Sequence, residues 1–466
     1  MMPHSTEFLC HATSGHLWRG HHGAFTGVSI DTRSLTQGNI FFCIRGPRFD
    51  GHQFAAQAAE RGASALVIDE DAQRVALEAL GHLDIPVVVV NDTIAALGAL
   101  AAAVRRQVDV QLVGLTGSSG KTTTKAFVAA VLESVGPTLA TEGNLNNHLG
   151  VPLTLMKLNP SHRYAVIEMG MNAPGEIEYL ARLAQPTLGV VTTIGAAHLE
   201  GVGDLAGVAR AKGELLRSLD GHGWAIYPSN IVEKDILTDG LSAPSVTVGY
   251  DSSDDLRIVA LEPNQDGTTA RVDVQGQIYE VHVRLPGVYN LHNALLALAV
   301  AHILALDLEV AIEAIGEVRP LPLRSEWRVS PRGVSALLDC YNANPQSMAV
   351  ALAHFTSEFP TGVVVLGDML ELGAMAEDAH RSVGQWLATH ARDIHLVAIG
   401  SLGRLIADAA LSAGLPSAQV VACSRVEDAH GTLENHHHLG RTLMFKGSRG
   451  AGLERCWHRL ISSEEA

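Results

Sequence analysis

The sequence predicts an α/β fold with three domains, and three features predict it: chain length, alternation of strands with helices, and one glycine-rich turn. The chain has 466 residues, which exceeds the roughly 250–300 residues that one hydrophobic core organises. Strand-like apolar runs alternate with helical patterns for most of the length, as in parallel sheets covered by helices on both faces. We therefore expect domains over residues 1–108, 109–320 and 321–466.

The individual elements follow from local apolar patterns. The first segment has a helical pattern at 51–62 and ends with an alanine-rich helix before the polar break at 105–109. Residues 256–285 alternate polar and apolar positions around turn signals, which predicts a small antiparallel patch. An internal HHH run at 436–438 is interpreted as a polar loop. The strand-like runs are ASALVI (63–68), PVVVV (86–90), QLVGLTG (111–117), YAVIEMG (164–170), TLGVVTTIG (187–195), VSALLDC (334–340), GVVVLGDM (362–369), IHLVAIG (394–400) and RTLMFKG (441–447).

Composition limits the partners and the compartment. Lys and Arg number 33 against 49 Asp and Glu, a net charge of −16, which disfavours nucleic-acid binding through a general basic surface. The longest strictly apolar run, 94–104, is shorter than the roughly 20 residues of a membrane span. The start of the chain lacks the pattern of a signal peptide. Five cysteines without CxxC spacing suit reduced thiols. We expect a cytoplasmic monomer without membrane insertion.

The most specific motif is TGSSGKTT at 116–123, between a strand-like run and a helical pattern. Glycines let successive N–H groups point at phosphate oxygens, and the helix N-terminus adds a positive dipole end. Lys121 can reach the β- and γ-phosphates, and Thr122 can hold Mg²⁺. A standard P-loop has Gly six residues before its Lys, where Leu115 stands, so this loop is one residue shorter. The predicted phosphate-binding residues are Thr116, Gly117, Ser118, Ser119, Gly120, Lys121, Thr122 and Thr123.

Three more polar residues stand at or after predicted strand ends of the middle segment: Glu168, His198 and Lys212. Ligands of parallel sheets gather outside the carboxyl ends of the strands, and a glutamate is a natural ligand of Mg²⁺. From the residues alone, simpler interpretations stay open. Glu168 could cap a helix, His198 could lie in an ordinary turn, and Lys212 could face solvent.

Motifs in order along essentially the whole chain resemble those of the Mur ligases, the ADP-forming ligases that build the peptide of bacterial cell-wall precursors. The matching segments are IDTRSLTQGNIFFCIRGPRFDGHQF (30–54), TGSSGKTTTK (116–125), TEGNLNNHLGVPLTL (141–155), VIEMGMNAPGEI (166–177), AAHLEG (196–201), AKGEL (211–215), DCYNANPQSM (339–348), VVLGDMLELG (364–373) and FKGSRG (445–450). The resemblance implies a central P-loop parallel sheet with helices on both faces, an N-terminal substrate domain and a C-terminal Rossmann-like α/β domain. The middle domain would bind ATP.

The narrower motifs imply the reaction. GNLNN, YNANP and GDMLELG resemble the member that joins D-alanyl-D-alanine to the tripeptide carboxylate of UDP-N-acetylmuramoyl-tripeptide, through an acyl phosphate made with ATP. Three alternatives stay open: another Mur-type amino-acid ligase, a P-loop kinase or simple NTPase, and a non-catalytic nucleotide-binding module. The third residue of the tripeptide, meso-diaminopimelate or lysine, is not fixed by these motifs.

The resemblance also implies roles for single residues. Lys121, Glu168, His198 and Lys212 would be catalytic. Thr122 and Glu168 would hold one Mg²⁺, and His198 and Lys212 a second, with Lys212 as its carbamate. Asn290 and Asn293 would contact the adenine, and Arg324 and Asp339 the ribose or phosphates. The implied substrate contacts are Asp31, Arg33, Gly46, Arg48 and Phe49 for the uridine diphosphate, Asn144, Asn146 and Asn147 for the sugar or peptide, and Asn342 and Asn344 for the incoming dipeptide.

This chain departs from the family pattern around the nucleoside. It has GVYN at 287–290 where the family usually has GRHN, and PLR at 322–324 where the family usually has PGR. Asn290 and Asn293 could instead open a helix, and Asn342 and Asn344 could be turn formers. His380 is a weak candidate for the base that deprotonates the attacking amine, and it is otherwise interpreted as a surface histidine.

Overall fold

A computed structural model describes residues 2–47, 49–72, 85–219, 221–264 and 267–462. Its three larger sheets have five, nine and six strands, and they lie within 16–90, 111–283 and 326–446. The predicted α/β fold is confirmed, with three separate larger sheets. The predicted domain boundaries stay predictions. In the described part of the chain, no helix combines the length and apolar character needed to cross a membrane.

The N-terminal sheet is mostly parallel and buried on both faces. Its order is β2-β7-β6-β5-β4, and β2 alone runs antiparallel to its neighbour. Every valine of β7 is buried, as expected for a strand inside a parallel sheet. The strands are β1 (His4–Ser5), β2 (His16–Arg19), β3 (Ala24–Phe25), β4 (Gly27–Ser29), β5 (Asn39–Phe42), β6 (Ala65–Asp69) and β7 (Val87–Val90), and the helices are α1 (Thr6–Thr13), α2 (Ala55–Glu60) and α3 (Thr93–Arg105).

The middle sheet has nine strands in the order β16-β15-β14-β13-β12-β11-β8-β10-β9. The strands are β8 (Gln111–Thr116), β9 (Thr138–Ala140), β10 (Tyr164–Glu168), β11 (Leu188–Val191), β12 (Trp224–Pro228), β13 (Ser245–Gly249), β14 (Leu256–Asn264), β15 (Gly267–Val274) and β16 (Gln277–Val283). The helices are α4 (Lys121–Glu133), α5 (Gly150–Leu155), α6 (Glu176–Ala184), α7 (Leu199–Val202), α8 (Leu205–Arg217), α9 (Lys234–Leu237), α10 (Val288–Ile303) and α11 (Leu308–Glu317).

Two cores cover the two faces of the middle sheet, because successive strand side chains point to opposite sides. Ala165 and Ile167 of β10 join the core that includes Leu180 of α6. Val166 joins the other core, with Phe127 of α4. The antiparallel patch is confirmed as β14, β15 and β16, and it continues the parallel sheet through a parallel pairing of β13 with β14.

The C-terminal sheet has the order β17-β18-β22-β19-β20-β21, with β17 antiparallel to β18 and the other pairings parallel. The strands are β17 (Glu326–Val329), β18 (Ser335–Asp339), β19 (Val363–Leu366), β20 (His395–Ile399), β21 (Val420–Cys423) and β22 (Leu443–Lys446). The helices are α12 (Pro345–Glu358), α13 (Ala376–His390), α14 (Gly403–Ser412), α15 (His430–His438) and α16 (Glu454–Ser462).

The loop interpretation of the HHH run is wrong. These histidines form the last turn of α15. Leu433 and His437 are both buried, because residues four apart share one face of a helix. The Nε2 atom of His437 lies 2.9 Å from the hydroxyl of Ser330, so this run contributes to packing inside the domain.

Candidate active site

The phosphate loop connects β8 to α4 at the carboxyl edge of the middle sheet. Gly117 and Gly120 have φ angles of +152° and +82°, which side chains rarely allow. A Cβ atom would also lie 1.9 Å from the hydroxyl of Thr192 at Gly117 and 2.5 Å from Oδ1 of Asn293 at Gly120. Glycine is therefore required at both positions by conformation and by space.

Residues 192–195, which directly follow the neighbouring strand β11, support this loop. The hydroxyl of Ser118 donates to the carbonyl oxygen of Gly195 at 2.9 Å and accepts from the Gly195 N–H at 3.0 Å. The N–H groups of Ser118 and Ser119 donate to the carbonyl oxygen and the hydroxyl of Thr193, both at 2.9 Å. The N–H groups of both serines are therefore used inside the protein. The N–H groups in the first turn of α4 lack helical partners and are candidate phosphate donors.

Lys121 begins α4, followed by the half-buried Thr122 and Thr123. Its Nζ atom donates to the carbonyl oxygen of Gly117, four residues earlier, at 2.7 Å. Burial lowers the pKa of Lys121, whereas the carboxylates of Glu168 and Glu371 act against that shift. The lysine thus lies over its own loop, where it can turn toward a bound phosphate.

Glu168 ends β10, directly beside β8, and is buried. Its Oε1 accepts a hydrogen bond from Nδ2 of Asn146 at 2.8 Å, and its Oε2 lies 3.1 Å from Nζ of Lys125. Burial raises the pKa of the Glu168 carboxyl, but the ammonium groups of Lys125 and Lys121 outweigh burial and hold it below its ordinary value. A charged carboxylate therefore faces the phosphate loop.

Lys212 lies on α8 and is buried. Burial lowers its pKa well below the ordinary value, the charge of Lys121 lowers it further, and Glu214 opposes both. The effect of Lys121 on the pKa of Lys212 indicates that the two side chains lie near each other. Two ammonium groups are costly in one buried site, so burial and the charge of Lys121 both disfavour the ammonium form of Lys212.

His198 precedes α7 and has a left-handed φ of +56°. Its Nδ1 lies 2.9 Å from Oε2 of Glu371, in the C-terminal domain. That hydrogen bond lowers the pKa of the Glu371 carboxyl, with a smaller contribution from Lys121. The predicted histidine therefore reaches the site together with Glu371, which lies in the GDMLELG motif but had no predicted role.

The donor set fits one Mg²⁺ ion more readily than two. Glu168 is an anionic oxygen ligand beside the phosphate loop, and Mg²⁺ commonly takes one or two carboxylates and completes its shell with phosphates and water. In the described part of the chain, no group of three or more His, Cys, Asp and Glu side chains forms a metal cluster. The resemblance assigns a second ion to His198 and the carbamate of Lys212, and the Glu371 carboxylate also lies beside His198.

The C-terminal domain reaches the phosphate loop through Asn344. Nδ2 of Asn344 donates to the hydroxyl of Ser119 at 2.9 Å, while its Oδ1 caps the N-terminus of α12. Asn342 makes only a local contact in the described structure, accepting from the N–H of Ala343. Of the two asparagines proposed for the dipeptide, Asn344 thus lies at the interface of the two domains.

The predicted nucleoside residues make contacts inside the protein. Nδ2 of Asn290 donates to the carbonyl oxygen of Pro286 at 2.7 Å, and Oδ1 of Asn293 accepts from the hydroxyl of Thr124 at 3.2 Å. Both asparagines are buried in the first two turns of α10. They therefore join α10 to its surroundings, and their predicted adenine contacts stay predictions.

Arg324 and Asp339 both lie near the start of the third predicted domain. The Arg324 guanidinium lies 4.0 Å from the centre of the Tyr341 ring. Asp339 pairs with the buried Lys446 at 2.5 Å and accepts from the N–H of Ser325 at 3.1 Å. A ribose contact by Asp339 would share this carboxylate with Lys446.

The predicted substrate residues are more exposed. Asp31 and Arg33 form an ion pair at 2.6 Å, in which the Arg33 side chain is 86% exposed. The Gly46 N–H donates to the carbonyl oxygen of Phe49 at 2.8 Å, and this turn presents a Phe49 side chain that is 73% exposed. Arg48 lies outside the described residues.

The loop at 141–147 borders a cavity of about 360 Å³. Asn147 lines this cavity and caps α5 by accepting from the N–H of Gly150 at 2.9 Å. Asn144 is exposed, whereas Asn146 turns inward to Glu168. The three predicted asparagines therefore have different environments within one loop.

The interpretation of His380 as a surface histidine is wrong. The residue is buried, its Nε2 accepts from the N–H of Met369 at 2.8 Å, and its Nδ1 lies 2.5 Å from the carbonyl oxygen of Ala376. Burial lowers the pKa of this imidazole. With both ring nitrogens used inside the domain, His380 is not placed to take a proton from an incoming amine.

Models of known protein families match three segments of this chain. The model "Mur ligase family, catalytic domain" matches residues 24–105, "Mur ligase middle domain" matches 115–301, and "Mur ligase, glutamate ligase domain" matches 323–449. A Bacillus subtilis protein is 34% identical over 94% of this chain and 93% of its own length. The chain belongs to the Mur ligase family.

Named Mur ligases resemble this one in sequence and in structure. The B. subtilis protein, and an Escherichia coli protein 39% identical over 77% of this chain and 78% of its own, are both called UDP-N-acetylmuramoyl-tripeptide–D-alanyl-D-alanine ligase. A crystal structure of MurF from Acinetobacter baumannii covers 99% of both chains, with TM-score 0.89 and 31% identity. MurF from Thermotoga maritima in complex with ADP shares the fold, with TM-score 0.80 and 23% identity over 94% of this chain and 98% of that one.

Proposed function

We propose that this Mur ligase joins D-alanyl-D-alanine to the terminal carboxylate of UDP-N-acetylmuramoyl-tripeptide and converts ATP to ADP and phosphate. The observation that carries this proposal is the shared name of the B. subtilis and E. coli relatives, which align over 94% and 77% of this chain. The geometry agrees, since a phosphate loop, a charged carboxylate and a docked third domain meet at one edge of the middle sheet. A cytoplasmic, monomeric enzyme without nucleic-acid partners is part of the proposal.

Each segment has a proposed ligand. Residues 1–108 bind the nucleotide-sugar end, with the exposed Arg33 and Phe49 toward the uridine diphosphate. Residues 109–320 bind ATP, and residues 321–466 bind the dipeptide near Asn344. Closure of the three domains then keeps water from the activated carboxylate.

Activation is needed because a free carboxylate does not condense with an amine in water. A carboxylate oxygen of the tripeptide attacks the γ-phosphorus of ATP, ADP leaves, and an acyl phosphate forms. The amine of the dipeptide attacks the acyl carbon, phosphate leaves, and the amine loses a proton. Such transfers depend mostly on alignment and charge neutralisation, and Lys121 supplies one positive charge when it turns from Gly117 to the phosphates.

The proposed metal residues are those that the family resemblance implies. Mg²⁺, when bound, neutralises charge on the phosphates and polarises the transferred group. Thr122 and Glu168 would hold it beside the loop. Lys212 becomes a second anionic group if its neutral amine adds to carbon dioxide and releases a proton, and His198 would lie toward that carbamate.

The test is phosphate release from ATP with each co-substrate alone and with both, using glycine and single D-alanine as control acceptors. We expect release only with the nucleotide-sugar tripeptide and D-alanyl-D-alanine together. Supplying lysine and meso-diaminopimelate forms of the tripeptide identifies its third residue. Release with ATP alone would favour the NTPase alternative, and release with another acceptor would favour another Mur-type ligase.

A further inference from the structure

Lys125 is a buried cation that the sequence motifs leave without a role. It lies one helical turn after Lys121 on α4, so both side chains leave the same face of the helix. Its side chain is 7% exposed. An ammonium is costly to bury unless it is paired and hydrogen-bonded, so its partners indicate what it does.

Those partners belong to two different segments. Nζ of Lys125 donates to the carbonyl oxygen of Gly143 at 2.9 Å and lies 3.1 Å from Oε2 of Glu168. The other carboxylate oxygen of Glu168 accepts from Asn146 at 2.8 Å. Lys125, Glu168 and the loop at 141–147 therefore form a closed ring of polar contacts.

The same loop is attached to β10 by its backbone as well. The Glu168 N–H donates to the hydroxyl of Thr141 at 3.0 Å, and the Gly170 N–H donates to the carbonyl oxygen of Asn146 at 2.8 Å. Gly143 lies between these two attachments and is itself exposed. Lys125 anchors the middle of the loop through its hydrogen bond to Gly143.

The outer side of the loop is free for a ligand. Asn144 and Asn147 are exposed, and Asn147 lines the cavity of about 360 Å³. A loop fixed on its inner side and open on its outer side binds with a smaller loss of conformational entropy. The contacts thus connect the position of Glu168 with the shape of a binding loop.

We propose that Lys125 is a positioning residue that fixes the loop at 141–147 against Glu168, so that the loop is preformed for the nucleotide-sugar tripeptide. The identity of this ligand rests on the proposed function. Lys125 itself touches neither the phosphates nor the peptide in this role, and it acts through Gly143 and Glu168.

The test compares Lys125→Met with Lys157→Met. Lys157 pairs with Glu142 of the same loop at 2.7 Å, but its side chain is 45% exposed, so it is a matched control outside the site. Binding of UDP-N-acetylmuramoyl-tripeptide is measured by calorimetry without nucleotide and without Mg²⁺, and binding of ADP with Mg²⁺ is measured separately. Hydrogen exchange of peptides covering 141–147 gives a readout that is independent of ligand.

We expect Lys125→Met to weaken tripeptide binding by about tenfold or more and ADP binding by less than about threefold. Exchange of the loop should accelerate by about tenfold. Lys157→Met should leave both affinities within about twofold. Lys125→Arg, which keeps the charge and the donors, should retain more of the tripeptide affinity than Lys125→Met.

Two results would overturn the proposal: a folded Lys125→Met protein that binds the tripeptide as the wild type does, or an equal loss of both ligands. A wild-type protein that does not bind the tripeptide contradicts the proposed function, and the role of Lys125 is then decided by loop exchange alone. If Lys125→Met does not fold, hydrogen exchange of the loop in the wild-type protein decides. Slow exchange at Thr141, Leu145 and Asn146 supports a preformed loop, and exchange at the rate of a free peptide overturns it.

Discussion

The carboxyl edge of the middle sheet and the substrate turns of the N-terminal domain are built in opposite ways. At the first, Glu168 and Lys125 are buried and bonded to each other. At the second, Arg33 and Phe49 are exposed, and Arg33 pairs with a residue two positions away. The comparison teaches that contacts inside the protein fix the side chains of the phosphate site, whereas the side chains of the nucleotide-sugar turns are exposed and have few such contacts.

The largest expected effect is at the phosphate loop. Lys121→Ala should lower turnover by about 10³-fold or more, because the ammonium that neutralises phosphate charge is lost. The fold should persist, since the hydrogen bond that is lost, to Gly117, lies within one loop. Steady-state kinetics and circular dichroism check both points, with Lys157→Ala as control. Retained turnover would refute the assignment of the loop.

Glu168→Gln should have the next largest effect. The amide keeps the shape of the side chain but removes the negative charge, so turnover should fall by about 10²-fold and require more Mg²⁺. Titration of Mg²⁺ at saturating substrates measures the requirement. Glu133→Gln is the control, because that carboxylate is exposed at the far end of α4. An unchanged Mg²⁺ titration would remove Glu168 from the metal site.

Arg33→Ala tests the other side of the comparison. The KM for the nucleotide-sugar tripeptide should rise about tenfold, while the free energy of unfolding should change by less than about 0.5 kcal/mol, because exposed ion pairs contribute little. Substrate kinetics and chemical denaturation measure the two effects. Arg404→Ala, also exposed and also beside an aspartate, should change neither. Strong destabilisation by Arg33→Ala would mean that this exposed ion pair contributes to the stability of the N-terminal domain.

Glu371→Gln should have a smaller effect, of about threefold on turnover, because its pair with His198 is partly exposed and screened by solvent. The pair joins the middle and C-terminal domains, so the variant should also compact less when ATP and the tripeptide bind. Small-angle scattering measures the compaction, and Glu377→Gln in the same domain is the control. Equal compaction of the two variants would argue against a role in closure.

The smallest expected effect is a dependence of stability on pH. The pKa of Lys212 is lowered in the folded state, so between the folded and unfolded pKa values the unfolded chain binds more protons and stability rises with pH. In buffer free of carbon dioxide, the unfolding free energy of the wild type should therefore increase relative to that of Lys212→Met as the pH rises from about 7 to about 10. Denaturation at several pH values measures the difference. A constant difference would mean that Lys212 has an ordinary pKa.

Local pattern was enough to predict most strands of the fold. The apolar runs at β8 and β10 lie where they were expected, and the alternation at 256–285 forms three antiparallel strands. The joining of β13 to β14 could not be predicted, because strand pairing depends on partners that local pattern does not specify. The prediction for the HHH run was wrong for a related reason. Composition indicated a loop, whereas Leu433 and His437, four residues apart, lie on one buried face of a helix.

The site was predicted in part. Lys121 and Glu168 come from short motifs with a chemical reason, and the structure brings them together with Lys212. Lys125 and Glu371 were missed because their partners are distant in sequence. The one available signal for Lys125 was a second lysine four residues after Lys121, in a helix that is otherwise largely apolar on its buried face. Glu371 lies in the GDMLELG motif, but nothing local indicated its partner, because His198 belongs to another domain.

The buried amine of Lys212 has a consequence for the durability of the enzyme. A neutral amine is a nucleophile, and the proposed acyl phosphate is an electrophile formed in the same site. As a free amine, Lys212 would compete with the dipeptide for the acyl phosphate, and its side chain would become permanently acylated and inactive. As a carbamate, its nitrogen lone pair is delocalised and no longer attacks. Carbon dioxide would then serve this ligase as a reversible protecting group, in the sense that a peptide chemist uses the term.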